Sequence, residues 1–486
     1  MVPSTPPEHV LRDSYGFFVD GDVHDPLDGN RFTVVNPSTE EELVEVYAGT
    51  SEDVDRAVES AGEALSEWRS TDATERGRIL DRVADAIREN DETLSIIEAL
   101  ESGKPYTQAI GSIEQCIDYF RYFAGLADKV QGDTIPLGQE YVDFTMREPM
   151  GVTAHITPWN FPTSIIGRSI APALAFGNTV VHKPAEQTPI GALEVARLAV
   201  EAGLPPGAFN VVPGLGPDAG ASLAGHPDID SLTFTGSVET GREVARLAVD
   251  NIAAPHLELG GKSPHVIFPD ADMDAAVPSI VRGIFTGNTG QSCTAGSRLL
   301  VHEDIHEELL DRVVSAASEL TLGPAMADPD MGPLVSKDQY DRVADYIDIG
   351  TEEVGEPIIG GTVDRQGYFV EPTIFDNVAN DTRIAQEEIF GPVLTVTEFA
   401  DEAEALEIAN DTDYGLAAGI FTSDVGRALR FARDVRAGSV FVNEYYAFGI
   451  PTPHGGFKQS GIGREKGLEA IRTYTQTKNV GINIEV

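Results

Sequence analysis

From about residue 150 onward, short apolar runs alternate with apolar residues at helical spacing. Predicted strands at 151–157, 178–182, 209–212 and 231–235 are separated by such patterns, for example over 191–202. Strands that alternate with helices form a parallel sheet with right-handed crossover connections. A sheet of this kind binds ligands beyond the carboxyl ends of its strands, so functional side chains are expected there.

The alternation starts again after residue 258, with further predicted strands at 265–268, 298–302 and 439–443. Two successive α/β units predict two domains with a cleft between them. Two other segments, 140–147 and 475–484, alternate apolar and polar residues but have no neighbouring helical pattern to cover them. We predict that they are edge strands that pair with each other or with another subunit.

The charge of the chain excludes some partners. Lys and Arg total 34 and Asp and Glu total 79, which gives a net charge of −45. Nucleic acid is therefore not expected as a partner, because a phosphate backbone needs a basic surface. Dispersed acidic residues of this number are typical of halophilic proteins, and an acidic mesophilic protein is the alternative. No apolar run is long enough for a membrane span and no signal peptide pattern is present, so we expect a cytoplasmic protein without a membrane partner.

Two cysteines exclude both a disulfide framework and a cysteine metal cluster. Cys116 belongs to an apolar pattern at helical spacing, which predicts a buried core thiol. Cys293 lies in a loop of small residues, 287–297, between a predicted helix over 275–285 and a predicted strand. Small polar neighbours leave a thiol reachable, as a catalytic nucleophile must be.

The segment from Gly236 to Gly241 follows a predicted strand and begins a helix. Backbone N–H groups at the start of a helix bind anions, and glycines allow a pyrophosphate to approach closely. The segment is neither a Walker loop nor a GxGxxG fingerprint. Taken alone, it is as consistent with a tight strand-to-helix turn as with a phosphate site.

Further polar side chains follow strands of the same parallel system. Lys183 and Glu186 follow one strand and are suited to binding ribose hydroxyls, Asn160 follows another, and Glu258 ends a third. A surface ion pair is the alternative role for Glu258, but its apolar and glycine neighbours favour a buried base with a raised pKa. Together with the Cys293 thiol, a carboxylate and an amide supply the nucleophile, general base and oxyanion donor for aldehyde oxidation.

Seven segments resemble the NAD(P)-dependent aldehyde dehydrogenase superfamily in order and spacing, over nearly the whole chain. They are 157–162, 183–187, 234–241, 258–264, 290–293, 387–393 and 455–465. The resemblance implies an α/β fold with a Rossmann-type parallel-sheet cofactor domain, an α/β catalytic domain and a small β oligomerisation arm. The expected boundaries are 1–125 with 149–259 for the cofactor domain, 260–460 for the catalytic domain, and 126–148 with 474–486 for the arm.

By this resemblance, Cys293 attacks the aldehyde carbon as the nucleophile. The Asn160 side chain and the Cys293 backbone N–H would hold the tetrahedral oxyanion. Hydride then leaves for the nicotinamide, and Glu258 activates the water that hydrolyses the thioester. Division into two steps is physically reasonable, because a thiohemiacetal donates hydride and a free aldehyde does not.

The resemblance also implies a set of cofactor contacts. They are Thr157, Trp159, Lys183, Glu186, Gly216, Gly236, Ser237, Gly241, Leu259, Glu388 and Phe390. Lys183 and Glu186 resemble the clamp on the adenine ribose. Because a carboxylate at position 186 accepts a hydrogen bond from the 2′-OH and repels a 2′-phosphate, we expect NAD rather than NADP, although Lys183 could turn towards a phosphate.

The substrate tunnel departs from the common pattern of the family. Phe161 and Phe448 are expected to line it, but Arg168 and His454 stand where many members carry aromatic residues. A cation and an imidazole indicate a polar or anionic aldehyde, such as succinic or 2-oxoglutaric semialdehyde. Related semialdehyde enzymes often carry a second arginine where this chain has Gly287. The alternative is that Arg168 forms an ordinary ion pair. The enzyme would then be of broad specificity or of the betaine type, and would act on neutral or cationic aldehydes.

This fold is also compatible with other functions. Ser169 stands where lysine is common, which puts a proton relay to Glu465 in doubt. A phosphorylating or CoA-acylating enzyme would pass the thioester to another acceptor and would not need the base Glu258. A non-enzymatic structural protein would not need Cys293, Glu258 and Asn160 together. We therefore expect an NAD-dependent aldehyde dehydrogenase that holds no metal and self-associates to a dimer or tetramer.

Overall fold

Two large sheets organise the chain in a computed structural model that describes residues 10–25, 29–447 and 449–485. The strands are β1 Ser14–Tyr15, β2 Phe17–Val19, β3 Asp22–His24, β4 Arg31–Asn36, β5 Glu41–Tyr47, β6 Thr134–Ile135, β7 Tyr141–Pro149, β8 Val152–Ile156, β9 Thr179–Lys183, β10 Phe209–Val211, β11 Ser231–Thr235, β12 Ala254–Glu258, β13 Pro264–Ile267, β14 Arg298–His302, β15 Ile359–Thr362, β16 Val370–Phe375, β17 Val393–Phe399, β18 Ala417–Phe421, β19 Ser439–Val442, β20 Gly461–Ile462 and β21 Thr475–Asn483. The α-helices are α1 Ser51–Ser70, α2 Ala73–Glu89, α3 Asp91–Ser102, α4 Tyr106–Leu126, α5 Pro162–Ile165, α6 Ala171–Ala175, α7 Ile190–Glu201, α8 Ala221–Ala224, α9 Val238–Asp250, α10 Met273–Val281, α11 His306–Ser318, α12 Lys337–Glu353, α13 Arg383–Gln386, α14 Glu402–Asn410, α15 Val425–Asp434 and α16 Ala470–Tyr474.

The first large sheet has the strand order β20-β12-β11-β8-β9-β10-β2-β3. The five central strands, from β12 to β10, are parallel, and the outer strands pair antiparallel. All residues of β8, β9 and β11 are buried, because helices cover both faces of a parallel sheet. The predicted parallel system is confirmed, and the strand predicted at 231–235 coincides with β11.

The second large sheet has the order β15-β16-β17-β14-β13-β18-β19, with only β15 antiparallel to its neighbour. The strand predicted at 298–302 coincides with β14. The single helix predicted over 275–285 is wrong in its second half, because α10 ends at Val281 and 282–286 form a wider π turn. The Gly287 N–H donates to the Arg282 carbonyl at 3.0 Å across this turn, which brings the chain into the cysteine loop.

The remaining strands form two small sheets, β1-β5-β4 and β21-β7-β6. In the second, β21 pairs antiparallel with β7 from Thr475↔Pro149 to Asn483↔Tyr141, so the predicted pairing of the two edge segments is confirmed. This sheet and the end of the chain expose the apolar side chains of Ile135, Leu137, Tyr141, Val142, Met146, Ile482 and Ile484. The chain also returns to the first large sheet, where β20 pairs with β12. The domain boundaries and the role of the arm in oligomerisation stay predictions.

The core and the helices agree with two further expectations. Cys116 on α4 is fully buried and belongs to the large apolar cluster that contains Ile113, Ile117 and Phe120, as predicted for a core thiol. Among the helices that the structure describes, none combines the length and the apolar character that a membrane crossing requires.

Candidate active site

Four neighbouring parallel strands place the predicted site residues at one edge of the first large sheet. Thr157 follows β8, Lys183 ends β9, Gly236 follows β11 and Glu258 ends β12. The register aligns these ends, since Ile156 pairs with Lys183 and Glu258 is level with the last residue of β11. The expected gathering of functional groups at the carboxyl ends of the strands is therefore observed.

The loop that carries Cys293 is fixed by side-chain amides. The Asn288 Nδ2 group donates to the carbonyls of Asn160 and Gln291, at 3.0 Å and 3.2 Å. The Gln291 Oε1 atom in turn accepts from the Val335 N–H at 2.9 Å. These bonds hold irregular backbone in a buried loop, where unpaired polar groups would be costly.

Asn160 also contacts this loop directly. Its Nδ2 group donates to the Gln291 carbonyl at 2.9 Å, two residues before Cys293. An amide nitrogen carries two hydrogens, so this bond leaves a second donor for an oxyanion. Gly261 lies against the peptide of Cys293, since a Cβ there would come within 2.3 Å of the Cys293 carbonyl oxygen. A side chain at position 261 would displace the thiol.

The Cys293 thiol is partly exposed and protonated at rest. Burial raises its pKa to about 12, with smaller contributions from the carboxylates of Glu388 and Glu258 and an opposing one from Arg168. Only the thiolate is a strong nucleophile. A nucleophilic role for Cys293 would therefore require a base, or a change of surroundings on ligand binding.

Glu258 has the surroundings of a general base. Its side chain is 2% exposed, and burial, followed by the neighbouring carboxylate of Glu465, raises the pKa of Glu258 above that of an ordinary glutamate. His256 Nε2 lies 3.6 Å from its Oε1 atom and His454 Nε2 lies 3.5 Å from its Oε2 atom. A raised pKa brings a carboxylate closer to the range in which a base accepts a proton near neutral pH.

Arg168 forms a buried ion pair. Its Nε atom lies 2.5 Å from Glu465 Oε2, and its terminal nitrogen donates to Thr235 Oγ1 at 3.2 Å. A substrate carboxylate would have to displace a fully buried one from the guanidinium. The geometry thus favours the ion pair over the substrate clamp. Ser169 does not take part, because its hydroxyl donates to the Ile165 carbonyl at 3.0 Å.

The other expected pocket residues have different surroundings. His454 and Glu465 exchange two backbone hydrogen bonds, and burial together with nearby cations holds the pKa of His454 well below its usual range. Its imidazole is therefore neutral and lies beside the Glu258 base. The Phe161 ring lies 4.4 Å from Lys104 Nζ, whose charge is paired with Glu98 at 2.6 Å. Phe448, the remaining predicted wall residue, lies outside the described residues.

The predicted ribose and pyrophosphate contacts form a polar rim at the same sheet edge. Lys183 Nζ lies 3.4 Å from Glu186 Oε2, so the two expected ribose partners are adjacent. Ser237 caps α9, its hydroxyl accepting from the Thr240 N–H at 3.2 Å. The N-terminus of this 13-residue helix, next to Gly236, is suited to binding a pyrophosphate. Gly216 begins a short π turn at 216–220, with no atom within 4 Å of where its Cβ would lie.

The predicted nicotinamide contacts lie between the two large sheets. Glu388 Oε1 accepts from the Gly261 N–H at 2.9 Å, and burial raises the pKa of Glu388 to about 7. The rings of Trp159 and Phe390 meet edge to face at 5.2 Å. Gly241 packs so closely on Leu259 that a Cβ would come within 2.5 Å of it. These residues, like those of the rim, would hold a dinucleotide, which would supply a hydride acceptor at this site.

One residue near the base was missed in the sequence. His256 stands two positions before Glu258 on β12, and successive side chains of a strand alternate between its faces. The two side chains therefore project to the same face, a signal that was available from their spacing alone. Glu465 was noted only through the resemblance, and its pairing with Arg168 was not foreseen.

The parallel α/β sheet, with a thiol, a buried carboxylate and a side-chain amide near its edge, is an arrangement typical of enzymes. The sequence profile of the Aldehyde dehydrogenase family matches residues 25–480. A hydroxyisobutyraldehyde dehydrogenase from Mycolicibacterium austroafricanum is 48% identical over 472 residues, which cover 96% of this chain and 94% of that protein. Retinal dehydrogenase 2 from Homo sapiens is 44% identical over 491 residues, which cover 100% of this chain and 94% of that protein. A solved NAD+ complex of an aldehyde dehydrogenase from Bacillus cereus has a TM-score of 0.96 at 42% identity and covers 98% of both chains.

The chain belongs to the aldehyde dehydrogenase family and is an oxidoreductase that acts on aldehydes. The predicted family, fold class and enzyme class are confirmed. The alternative of a non-enzymatic structural protein is set aside by this assignment.

Proposed function

We propose that this enzyme oxidises an aldehyde to a carboxylic acid with NAD+, through a thioester on Cys293. The observation that carries the proposal is the buried Glu258 carboxylate at the end of β12, on the sheet edge where Asn160 Nδ2 lies 2.9 Å from the Gln291 carbonyl oxygen of the Cys293 loop. Cys293 reacts as the thiolate, its proton having passed to solvent, and its Sγ bonds to the aldehyde carbon. Asn160 Nδ2 donates to the resulting oxyanion. When bound, NAD+ supplies the hydride acceptor. Glu258 then takes a proton from the water that attacks the thioester, and the acid leaves as the thiol is regenerated.

NAD+ is the proposed cofactor in preference to NADP+. Glu186 lies beside Lys183 at the expected ribose position, so that lysine is already paired with a carboxylate. A 2′-phosphate would meet the Glu186 charge, whereas a 2′-hydroxyl donates to it. The similar Bacillus cereus enzyme was solved with NAD+.

A neutral aldehyde is the proposed substrate class. Arg168, the cation on which an anionic substrate would depend, is paired with Glu465 at 2.5 Å. His454 is neutral, and Phe161 is the predicted wall residue on the described part of the tunnel. Two similar enzymes are named for hydroxyisobutyraldehyde and retinal. Neither name refers to a carboxylate on the substrate.

A substrate panel tests the class. With NAD+ at fixed salt, kcat/KM is measured from NADH absorbance for hydroxyisobutyraldehyde, a neutral aliphatic aldehyde and succinic semialdehyde, with wild type and Arg168→Leu. We expect the neutral substrates to be preferred, and Arg168→Leu to lower all three values alike. A charged contact is worth about 1.5–3 kcal/mol, so a clamp would instead give a roughly 10- to 150-fold preference for the semialdehyde that Arg168→Leu abolishes.

Three features of the chain support proposals about its self-association, its salt environment and its redox compartment. The exposed apolar side chains of the β6-β7-β21 sheet, including Val142 and Ile482, favour self-association to a dimer or tetramer. The net charge of −45 favours a salt-rich environment, such as the cytoplasm of a halophile. Two free cysteines, Cys116 and Cys293, suit a reducing compartment.

A further inference from the structure

A second imidazole lies between the proposed base and another carboxylate. His256 Nε2 is 3.6 Å from Glu258 Oε1 and 3.8 Å from Glu465 Oε1. All three side chains are buried. His256 Nε2 and the four carboxylate oxygens have no hydrogen-bond partner within the described part of the chain. A shift of less than 1 Å would give one of these carboxylates the donor that it lacks.

The imidazole is held in place by a close backbone approach. Gly463 has a φ of +96°, and a Cβ on it would come within 2.0 Å of His256 Nδ1. The segment after β20 therefore closes on the ring, and β12 holds the ring from the other side. Because His256 and Glu258 project from the same face of β12, the ring has little freedom to leave the carboxylate.

The charges around the cluster leave Glu258 as the carboxylate that needs a donor. Arg168 neutralises Glu465 through the 2.5 Å contact, and His454 is neutral. The charged and titratable groups that interact with Glu258, with Glu465 or with both are Arg168, His256, His454, Lys466, Cys293, Tyr119 and Tyr474. The two carboxylates also interact with each other. Of these groups, His256 is the largest influence that lowers the pKa of Glu258 against burial.

We propose that His256 is a positioning residue for Glu258. Its Nε2–H is donated to the Glu258 carboxylate, which keeps the base ionised and directed during thioester hydrolysis, and Glu465 accepts the same N–H when Glu258 takes up a proton. This role rests on the proposed function. It is separate from acylation, in which Cys293 and Asn160 act. In enzymes without bound substrate, the donor–acceptor distances of catalytic hydrogen bonds are often slightly long, and they shorten when substrate binds.

The test compares His256→Leu with His256→Gln. Leucine removes the donor, whereas the glutamine amide places an N–H near the position of Nε2. His306→Gln is the matched control, because His306 also lies between two carboxylates, at 2.7 Å from Asp376 and 3.0 Å from Glu398, but outside the site. Stopped-flow NADH absorbance gives the burst that reports acylation. Steady-state kcat over pH gives the acidic limb that reports the base.

The expected result separates the two steps. In His256→Leu the burst amplitude is unchanged, and the acidic limb of kcat moves up by about one pH unit, as loss of a charge-assisted donor predicts. The limb moves to higher pH because a carboxylate that has lost its hydrogen-bond donor stays protonated to a higher pH. His256→Gln moves the limb back at least halfway, and His306→Gln leaves it in place. Because the ligand atoms of His256, Glu258 and Glu465 lie within 4.8 Å of one another, a bound metal ion is the competing explanation. EDTA, which would remove such an ion, is expected to leave the wild-type limb in place.

Other results overturn the proposal. A donor role for His256 would be excluded if the acidic limb of His256→Leu stayed at its wild-type position. It would also be excluded if the leucine and glutamine variants shifted the limb equally, or if EDTA moved the limb of the wild type. If His256→Leu does not fold, His256→Phe, which keeps the ring shape without the donor, takes its place under the same criteria. Absence of NADH formation from any aldehyde by the wild type would instead contradict the proposed function itself.

Discussion

The two cysteines of this chain show how surroundings decide what a residue can do. Cys116 is enclosed on α4 by apolar side chains, and burial raises its pKa beyond any useful range. Cys293 also has a raised pKa, but it is partly exposed and has Glu258, Glu388 and Arg168 as charged neighbours. A thiol with a carboxylate and a cation as neighbours is suited to activation, whereas a thiol enclosed by apolar side chains is not.

Replacing Cys293 by alanine should abolish NADH formation, because the acyl carrier is lost. NADH binding, followed by fluorescence, should survive, since the predicted dinucleotide contacts do not involve the sulfur. The control is Cys116→Ala, which should keep its turnover. An active Cys293→Ala enzyme would exclude the thioester route.

Replacing Glu258 by glutamine should separate acylation from deacylation. The first turnover should still release a burst of NADH, while steady-state turnover falls about 10²- to 10⁴-fold, the usual contribution of a general base. Stopped-flow absorbance measures both phases. Steady-state rates at the wild-type level would show that Glu258 does not activate the water.

At the scale of elements, the site depends on strand ends and on two irregular turns. The first turn, Ile166–Ile170, carries Arg168 to Glu465, and the second, Arg282–Thr286, leads into the cysteine loop. The ion pair thus connects the turn after α5 with the segment after β20. A buried pair of this kind is costly to break on one side, because the remaining charge loses its partner.

Arg168→Leu should therefore destabilise the protein by about 3–5 kcal/mol, the cost typical of a buried charge that is left unpaired. Thermal unfolding should show a clear fall in Tm. The matched control is Arg430→Leu, which breaks an exposed pair with Glu402 at 2.8 Å and should leave the Tm nearly unchanged. Equal Tm values for the two variants would mean that the Arg168 pair does not stabilise the fold.

Regular elements were predictable from the sequence, and their irregular connections were not. β11 and β14 were predicted to the residue, because apolar runs between turn signals define buried strands. Cys293, Glu258 and Asn160 could be proposed as catalytic residues because each stands in a loop or at a strand end with small or apolar neighbours. The π turn after α10 leaves no periodic signal, so the predicted helix was too long. The partner of Arg168 lies far along the chain, and no local pattern could identify Glu465.

At the scale of the whole molecule, charge is the dominant feature. A net charge of −45 on one chain produces self-repulsion that opposes compactness. Many acidic groups are exposed, as in the first turns of α1, α11 and α14. Salt screens such surface repulsion over about 10 Å at 0.1 M and over about 3 Å at 1 M.

Stability and activity should accordingly rise from low salt to molar KCl. Melting curves and NADH assays over that range check the expectation, with sucrose at matched osmolality as the control for solvent effects other than screening. A Tm that is flat across the range would contradict the proposed adaptation to salt.

The most direct test of the catalytic account is the mass of the trapped intermediate. Glu258→Gln is mixed with NAD+ and a neutral aldehyde, quenched in acid, and examined by intact-mass and peptide mass spectrometry. We expect one acyl group per chain, attached to the peptide that contains Cys293, and no adduct in the Cys293→Ala, Glu258→Gln double variant. An unmodified Cys293 despite NADH release, or an acyl group on another residue, would contradict it.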